Sequence, residues 1–362
     1  MSHADIARQR LRAQRLTGTP FDQPVDAIRG LVAVQAQDYH GAKWALAQRS
    51  SDRSGTTIDQ ALAEGTVIRT HVLRPTWHLV AAQDIRWLLD MTGPRVHAVN
   101  GYMYRQTGLD DDLLRRGRAV LVASLSDGQQ LTRPELAQRL GEAGIAASGH
   151  RLAHLIMHAE LDAVICSGAI RGKQHTYALL DERVPLTPPL DREEALARLA
   201  RRFFNSHGPA VPQDLAWWSG LTIADVRRGL DIVGPELETV TVDDTVFWFD
   251  PTVTEPSPDG PTVHLLPNFD EHLIAYKERR PTFDPARFDI APPATAFDGQ
   301  VVVFDGQVVG GWRRTISGKR LSVDVALYVS PPDERRTALL DAAEQLRRFM
   351  GCSSVTVGIE AP

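Results

Sequence analysis

Cysteine is almost absent: Cys166 and Cys352 are the only two in 362 residues. Two distant thiols build neither a disulfide scaffold nor a thiolate metal site, and such usage fits a reducing cytoplasm. Long apolar runs are missing too, so no segment is expected to cross a membrane. Met1 to Arg15 is polar, basic and helix-like, unlike a secretory leader. Charge of one sign is not in excess, with a net charge of −5. Nothing global therefore announces a nucleic-acid partner, although a whole-chain balance says little about local fields. No Gly-rich phosphate loop, Walker lysine, HExxH, nucleophile elbow or kinase signature occurs. No helix-hairpin-helix pattern followed by aspartate is present, and no spacing of Ser, His and Asp singles out a triad.

What remains is a globular composition, 43% hydrophobic and 23% charged. A chain of 362 residues exceeds one ordinary core, so about two to four compact units are expected. Basic clusters recur at Arg8-Arg10-Arg12-Arg15, Arg115-Arg116-Arg118, Arg198-Arg201-Arg202, Arg227-Arg228 and Lys277-Arg279-Arg280. Each alone reads as a solvated face; together they allow a concave basic surface.

The pattern of elements repeats. A helix through about Arg15, another from Pro24, pieces from Gly41 to Gln48 and from Ile58 to Glu64 with Thr57 as cap, and two β-rich runs around Arg74-Pro75 form the first unit. A helix from about Gln83 to Leu89 follows. Thr132, Pro134 and Glu135 make a capping signature for a helix from Arg133 to Glu142. A second helix runs from about Ser148 to Glu160, and β-rich runs on either side of Arg171-Gly172-Lys173 form a wing. The third unit has a helix from Asp191 to about Ser206, a short one carrying Trp217-Trp218, one capped by Thr222, and a hairpin across Asp243-Asp244. The spacing predicts three tandem winged helices, mainly helical α+β, over residues 1–119, 120–188 and 189–250. Pro251 to Pro261 reads as a linker, and residues 251–362 as a β-rich α+β unit with a type I′ hairpin at Asp305-Gly306.

One stretch organises the first unit: Val34-Gln35-Ala36-Gln37-Asp38. Residues two apart on a helix point about 200° apart, so Gln35 and Gln37 share a direction only where the chain is extended or bends. Two neutral amides at such a corner hold a water or a polar substrate by donor and acceptor at once. The bland alternative is a pair of surface glutamines. Asp38 reads as a helix cap or a second base. On the second unit's second helix, His150, His154 and His158 recur every four residues, opposite an apolar face. Histidines four apart can share a metal ion, but no carboxylate or cysteine completes a set nearby, so no metal is expected and a solvent- or DNA-facing surface is.

Five motifs in order carry a resemblance. They are Gln35-Ala36-Gln37, Ile68-Arg69-Thr70-His71-Val72-Leu73-Arg74-Pro75-Thr76-Trp77-His78, Trp217-Trp218-Ser219-Gly220-Leu221, Leu265-Leu266-Pro267-Asn268-Phe269-Asp270 and Val308-Val309-Gly310-Gly311-Trp312-Arg313-Arg314. In that order they resemble the AlkZ/YcaQ-like DNA glycosylases over nearly the whole chain. The resemblance implies three winged helices around a DNA-sized concave surface. It places the catalytic signature at Gln35-x-Gln37, with glutamine at 37 as in the AlkZ branch. It further implies removal of bulky N-alkylated purines (N7-alkylguanine or N3-alkyladenine), interstrand crosslinks included, without a cofactor.

Glutamine suffices for that chemistry because an N7- or N3-alkylated purine is cationic and already a good leaving group. What remains is to place a water and to stabilise an oxocarbenium-like sugar. Gln37 is expected to orient the water, with Gln35 anchoring it or the sugar. Without a strong acid, neutral lesions such as uracil should not react. No Schiff-base lysine stands out, so a monofunctional enzyme is expected. Arg74, Thr76 and His78 are read as support from the wing, with a core histidine as the alternative for His78. Asn268 and Asp270 are read as polar groups of the site, with a turn or cap as the alternative for Asp270. His150, Arg151, His154, Lys173, Arg313 and Arg314 are candidate DNA contacts. The partner is then double-stranded DNA in the cytoplasm at the nucleoid, met by a monomer. The rivals are a winged-helix transcriptional regulator without activity and a drug-sequestering protein.

Overall fold

The computed structural model describes residues 1–253, 260–283 and 299–362; six residues of the expected linker, 254–259, lie outside these. The fold is mainly helical α+β. No helix among the described residues is long and apolar enough to cross a membrane.

Helix α1 (His3–Ala13) starts on a reciprocal cap between Ser2 and Asp5. Pro24 opens α2 (Pro24–Leu31), where a missing N–H costs nothing. Then come β1 (Ala33–Gln35), α3 (Tyr39–Gln48), α4 (Thr56–Glu64), β2 (Val67–Val72) and β3 (Arg74–Ala81). The strands form a sheet in the order β1-β3-β2. Ile28, Leu31, Val34, Leu46, Ile58, Leu62, Val67 and Leu79 make its core. Thr57 does not cap α4, which begins after Gly55; its hydroxyl donates to Asp52 instead. Helix α5 (Ala82–Gln106) runs far past the expected end at Leu89 and through Pro94. An interior proline usually ends a helix. Here buried Leu88 and Met91 before it, and Val96 and Tyr104 after it, hold both halves in place.

The second unit contains α6 (Asp111–Leu125), β4 (Leu131–Thr132), α7 (Arg133–Glu142), α8 (Gly149–Leu161), β5 (Ile165–Ser167), β6 (Thr176–Leu179) and α9 (Leu180–Arg183). Its sheet order is β4-β6-β5. The division expected at 119/120 falls inside α6, whose Leu121 and Leu125 belong to the core of this unit with Leu136, Leu152 and Ile165. The third contains α10 (Arg192–His207), α11 (Pro212–Ser219), α12 (Ile223–Val233), β7 (Glu238–Val242) and β8 (Thr245–Phe249). Ala210 bridges antiparallel to Trp248, in the place held by β1 and β4 above. All three units thus share one order: helix, extended segment, two helices, hairpin, with the first extended segment beside the last strand. Trp218 is fully buried, whereas Trp217 is half exposed.

The last unit is a five-stranded sheet, β13-β12-β11-β10-β9, with α14 (Asp333–Phe349) against it. Its strands are β9 (Val263–Leu266), β10 (Val301–Phe304), β11 (Gln307–Ser317), β12 (Arg320–Leu327) and β13 (Ser354–Glu360); α13 (Glu271–Ile274) follows β9. Asp305 and Gly306 have φ of 51° and 86°, as a type I′ turn requires. Leu11, Leu16 and Trp44 from the N-terminal region join the core of this sheet. The unit is therefore part of the same body as the first, not an appendage.

Gly220 closes α11 at φ 72°, and a Cβ there would sit 2.5 Å from the Leu73 carbonyl, where α11 meets the turn between β2 and β3. Gly220→Ala combines left-handed strain with a backbone clash. It should cost about 2 kcal/mol, read as a lower urea midpoint; an unchanged midpoint contradicts this packing.

Candidate active site

Strand β1 pairs antiparallel with β3, setting Ala33 against Val80, Val34 against Leu79 and Gln35 against His78. The extended chain continues one residue further, since Ala36 N–H donates to Trp77 O at 2.7 Å. Gln35 and Gln37 therefore leave the same side of an extended segment. Asp38 ends it by capping α3, accepting from Gly41 N–H at 3.0 Å. That engages Asp38 as a cap.

Almost every polar group of this corner is fixed. Gln35 N–H donates to Glu271 Oε1 at 2.8 Å. Gln35 Oε1 accepts from the Arg74 guanidinium at 2.9 Å. The Ala36 carbonyl accepts from both Nε and Nη2 of Arg69, whose guanidinium lies 4.4 Å from the Trp77 ring centroid. Gln37 Oε1 accepts from Trp77 N–H at 3.3 Å. Both amides are thereby oriented, because each oxygen faces a donor. Each oxygen keeps a second lone pair, and each NH₂ points away from these donors. Gln35 is buried and Gln37 is exposed.

Glu271 anchors the arrangement from the C-terminal unit. It is 1% exposed and also accepts from Trp218 Nε1 at 2.8 Å. Burial pushes its carboxyl up, but His207 and the Gln35 N–H more than offset that and hold it below the usual carboxylate range. An ionised Glu271 supplies the countercharge for Arg74.

On β3, which pairs with β1, three polar atoms are buried without a partner among the described residues, Arg74 Nε, Thr76 Oγ1 and His78 Nε2, and Asn268 Oδ1, between β9 and α13, is a fourth. Buried groups of this kind are rare unless something else binds them. His78 is fully buried; burial, then the Arg74 charge, pull it down to about 3. It is neutral, with Nδ1 against Thr76 O at 3.0 Å and Nε2 free to accept. Three non-glycine residues with left-handed backbones sit beside these groups: Val32 at φ 72°, Leu73 at 65° and Phe269 at 61°. Such strain costs about 1–3 kcal/mol each and clusters at functional sites.

The remaining expected residues divide. Asp270 is not a surface contact: it is 1% exposed, bonded to Arg49 through both oxygens at 2.7 and 2.8 Å, and caps α13. Burying a carboxylate demands such a partner, and the cap reading was the sound one. Arg151 spends its guanidinium on the Thr107 and Ala146 carbonyls. His150 and Lys173 are exposed, and His154 is half-buried with its ring edge-on to Tyr104. Arg313 is exposed beside Asp324 on β12, and Arg314 is half-exposed. The expectation that no carboxylate completes a set with the helical histidines is overturned, because Asp162 meets both His158 and His97.

Sequence reasoning missed Glu271, Arg69, Trp218 and His207. Glu271 directly follows one of the five motifs, and Arg69 and Trp218 lie within them, so a signal exists for these three. His207 reaches Glu271 only through tertiary contact.

Comparison with known proteins is concordant along the chain. An interstrand DNA cross-link repair glycosylase of Streptomyces sahachiroi is 26% identical over 375 aligned positions, covering 96% of this chain and 97% of that protein. The solved structure of the Streptomyces sahachiroi DNA glycosylase AlkZ superposes with a TM-score of 0.82 at 21% identity, covering 99% of both chains, which establishes the shared fold. The family model described as DNA glycosylase AlkZ-like matches residues 28–349. With that match over most of its length, the chain belongs to the AlkZ-like DNA glycosylase family.

Proposed function

We propose that the chain is a monofunctional DNA glycosylase that hydrolyses the N-glycosidic bond of bulky, cationic N-alkylated purines in duplex DNA. The observation that carries this is the Gln35-Ala36-Gln37 corner, with both amide oxygens oriented and buried acceptors unpaired beside it. Gln37, exposed, places the water through its free lone pair and NH₂ group. Gln35, clamped by Arg74, anchors that water or the sugar. Neither amide is a base, so the reaction draws its driving force from the cationic leaving group, and positioning with local dipoles supplies the rest. No step calls for a cofactor. The repeated connectivity of the three helical units supports reading them as winged helices around the DNA, the second beginning at α6. The cross-link repair activity in the Streptomyces relative's name supports extending the substrates to interstrand crosslinks. We read the protein as a monomer acting at the nucleoid.

Removing one positioned amide should cost about 10²-fold in rate. Single-turnover release of N7-alkylguanine from duplex DNA should therefore fall by that factor in Gln37→Ala, with duplex binding retained. Full release by the variant, or none by the wild type on any cationic purine, refutes the proposal.

The neutral state of His78 gives a second expectation. Its folded value of about 3 lies below the unfolded one near 6.5, so it contributes stability above pH 6.5 that is lost as pH falls toward 3. The urea midpoint should drop between pH 7 and pH 4, and His78→Gln should shrink that drop. Release should also show no pH limb from His78 between pH 5 and 8. A limb there that vanishes in the variant contradicts a neutral His78.

A further inference from the structure

Helix α5 of the first unit packs on α8 of the second so that His97, His158 and Asp162, none of them part of the glutamine corner, converge. His97 Nε2 lies 3.1 Å from Asp162 Oδ1, and His158 Nδ1 lies 3.2 Å from Asp162 Oδ2. The ligating atoms all fall within 4.8 Å of one another. Nitrogen and oxygen ligands held about 2.0–2.1 Å from a tetrahedral zinc are about 3.3 Å apart along each edge. Each histidine thus stands nearly one such edge from a carboxylate oxygen of Asp162, His97 from Oδ1 and His158 from Oδ2. His158 and Asp162 stand four apart, on one side of the end of α8, and His97 faces them from α5.

The surroundings suit an ion as well. His97 turns its other nitrogen, Nδ1, to the Tyr104 hydroxyl at 2.9 Å. That contact fixes the ring so that Nε2 can carry a lone pair inward, the usual outer support of a metal-bound histidine. The three side chains are 23%, 23% and 31% exposed, which leaves room for a water as fourth ligand. The nearest competing cation, Arg118, is 3.9 Å from Asp162 Oδ2 and mostly exposed, so it is displaced at little cost.

We propose that His97, His158 and Asp162 form a binding site for a divalent transition ion of the zinc type, with a water completing a tetrahedron. Bound there, the ion staples α5 to α8 across the joint between the first two units. The same α8 carries Glu160, which bonds His71 on β2, the strand that also bears Arg69. The site is thus a structural clamp on the wing behind the glutamine corner.

The test uses untagged, chelator-stripped, full-length protein titrated with Co²⁺ and then Zn²⁺. One Co²⁺ per chain should bind with the visible bands of four-coordinate cobalt, and Zn²⁺ should bleach them. His97→Ala and Asp162→Asn should lose the bands, His150→Ala should keep them, and Tyr104→Phe should weaken binding by about tenfold or more. Zinc should raise Tm in the wild type and not in His97→Ala. For the unsubstituted protein, zinc should shift the imidazole resonances of His97 and His158 and spare that of His150. Absence of a one-to-one cobalt signal, equal binding by His97→Ala, or shifts at His150 alone overturns the proposal and leaves a plain hydrogen-bonded trio.

Discussion

A buried carboxylate holds this structure to its site. Glu271 joins Gln35 of the first unit, Trp218 of the third and its own short helix in the C-terminal unit. An unpaired charge in that position would be costly, and removing one partner of such a group typically loses about 3–5 kcal/mol. Two neighbouring buried pairs repeat the arrangement. Arg49, at the C-terminal end of α3, grips Asp270 with two bonds and Gln14 with a third. Arg10 of α1 reaches Asp214 and the carbonyls of Pro209 and Glu278, and stacks 3.6 Å from the Tyr276 centroid. Charged groups with fixed partners specify one docking of the units where apolar surface alone would tolerate sliding. The C-terminal unit is therefore the piece that sets the position of the glutamine strand.

The chemistry follows from what the corner lacks. Among the described residues, no ionisable base is hydrogen-bonded to the two side-chain amides: Asp38 is spent as a cap, His78 is neutral, and Glu271 is fully buried on the Gln35 N–H and Trp218. A site of this kind can position water and offer dipoles, and it cannot drive off a neutral base by protonation. Under the proposed function, selectivity for cationic purines is then a property of the leaving group, which the protein need only expose. The strain at Val32, Leu73 and Phe269 fits this economy, since a site that works by position has to hold its backbone in place.

Local signals made much of this legible. The spacing of Gln35 and Gln37 calls for extended chain or a bend, and the chain runs extended through β1 to Ala36 and bends at Gln37; the Thr132 and Glu135 capping pair and the Asp305-Gly306 turn stand where the residues put them. What failed was non-local. Asp270 looked like a site residue because nothing in its neighbourhood reveals Arg49, which is 221 positions away. Glu271 escaped notice for the same reason, with Gln35 236 positions away. Helix α5 outran its expected end because packing on both sides of Pro94 overrides the local cost. Asp162 stands one turn beyond the histidine series on α8, and His97 comes near it only through the packing of two helices.

The most direct measurement is single-turnover base release by Glu271→Gln, set beside duplex affinity and far-UV circular dichroism. An amide in that place cannot accept from both Gln35 and Trp218 with full charge, nor balance Arg74. Release should fall by at least tenfold while affinity and fold are kept, and Glu271→Asp should recover part of it. Wild-type release by a folded Glu271→Gln would contradict the claim that this buried carboxylate positions the catalytic strand.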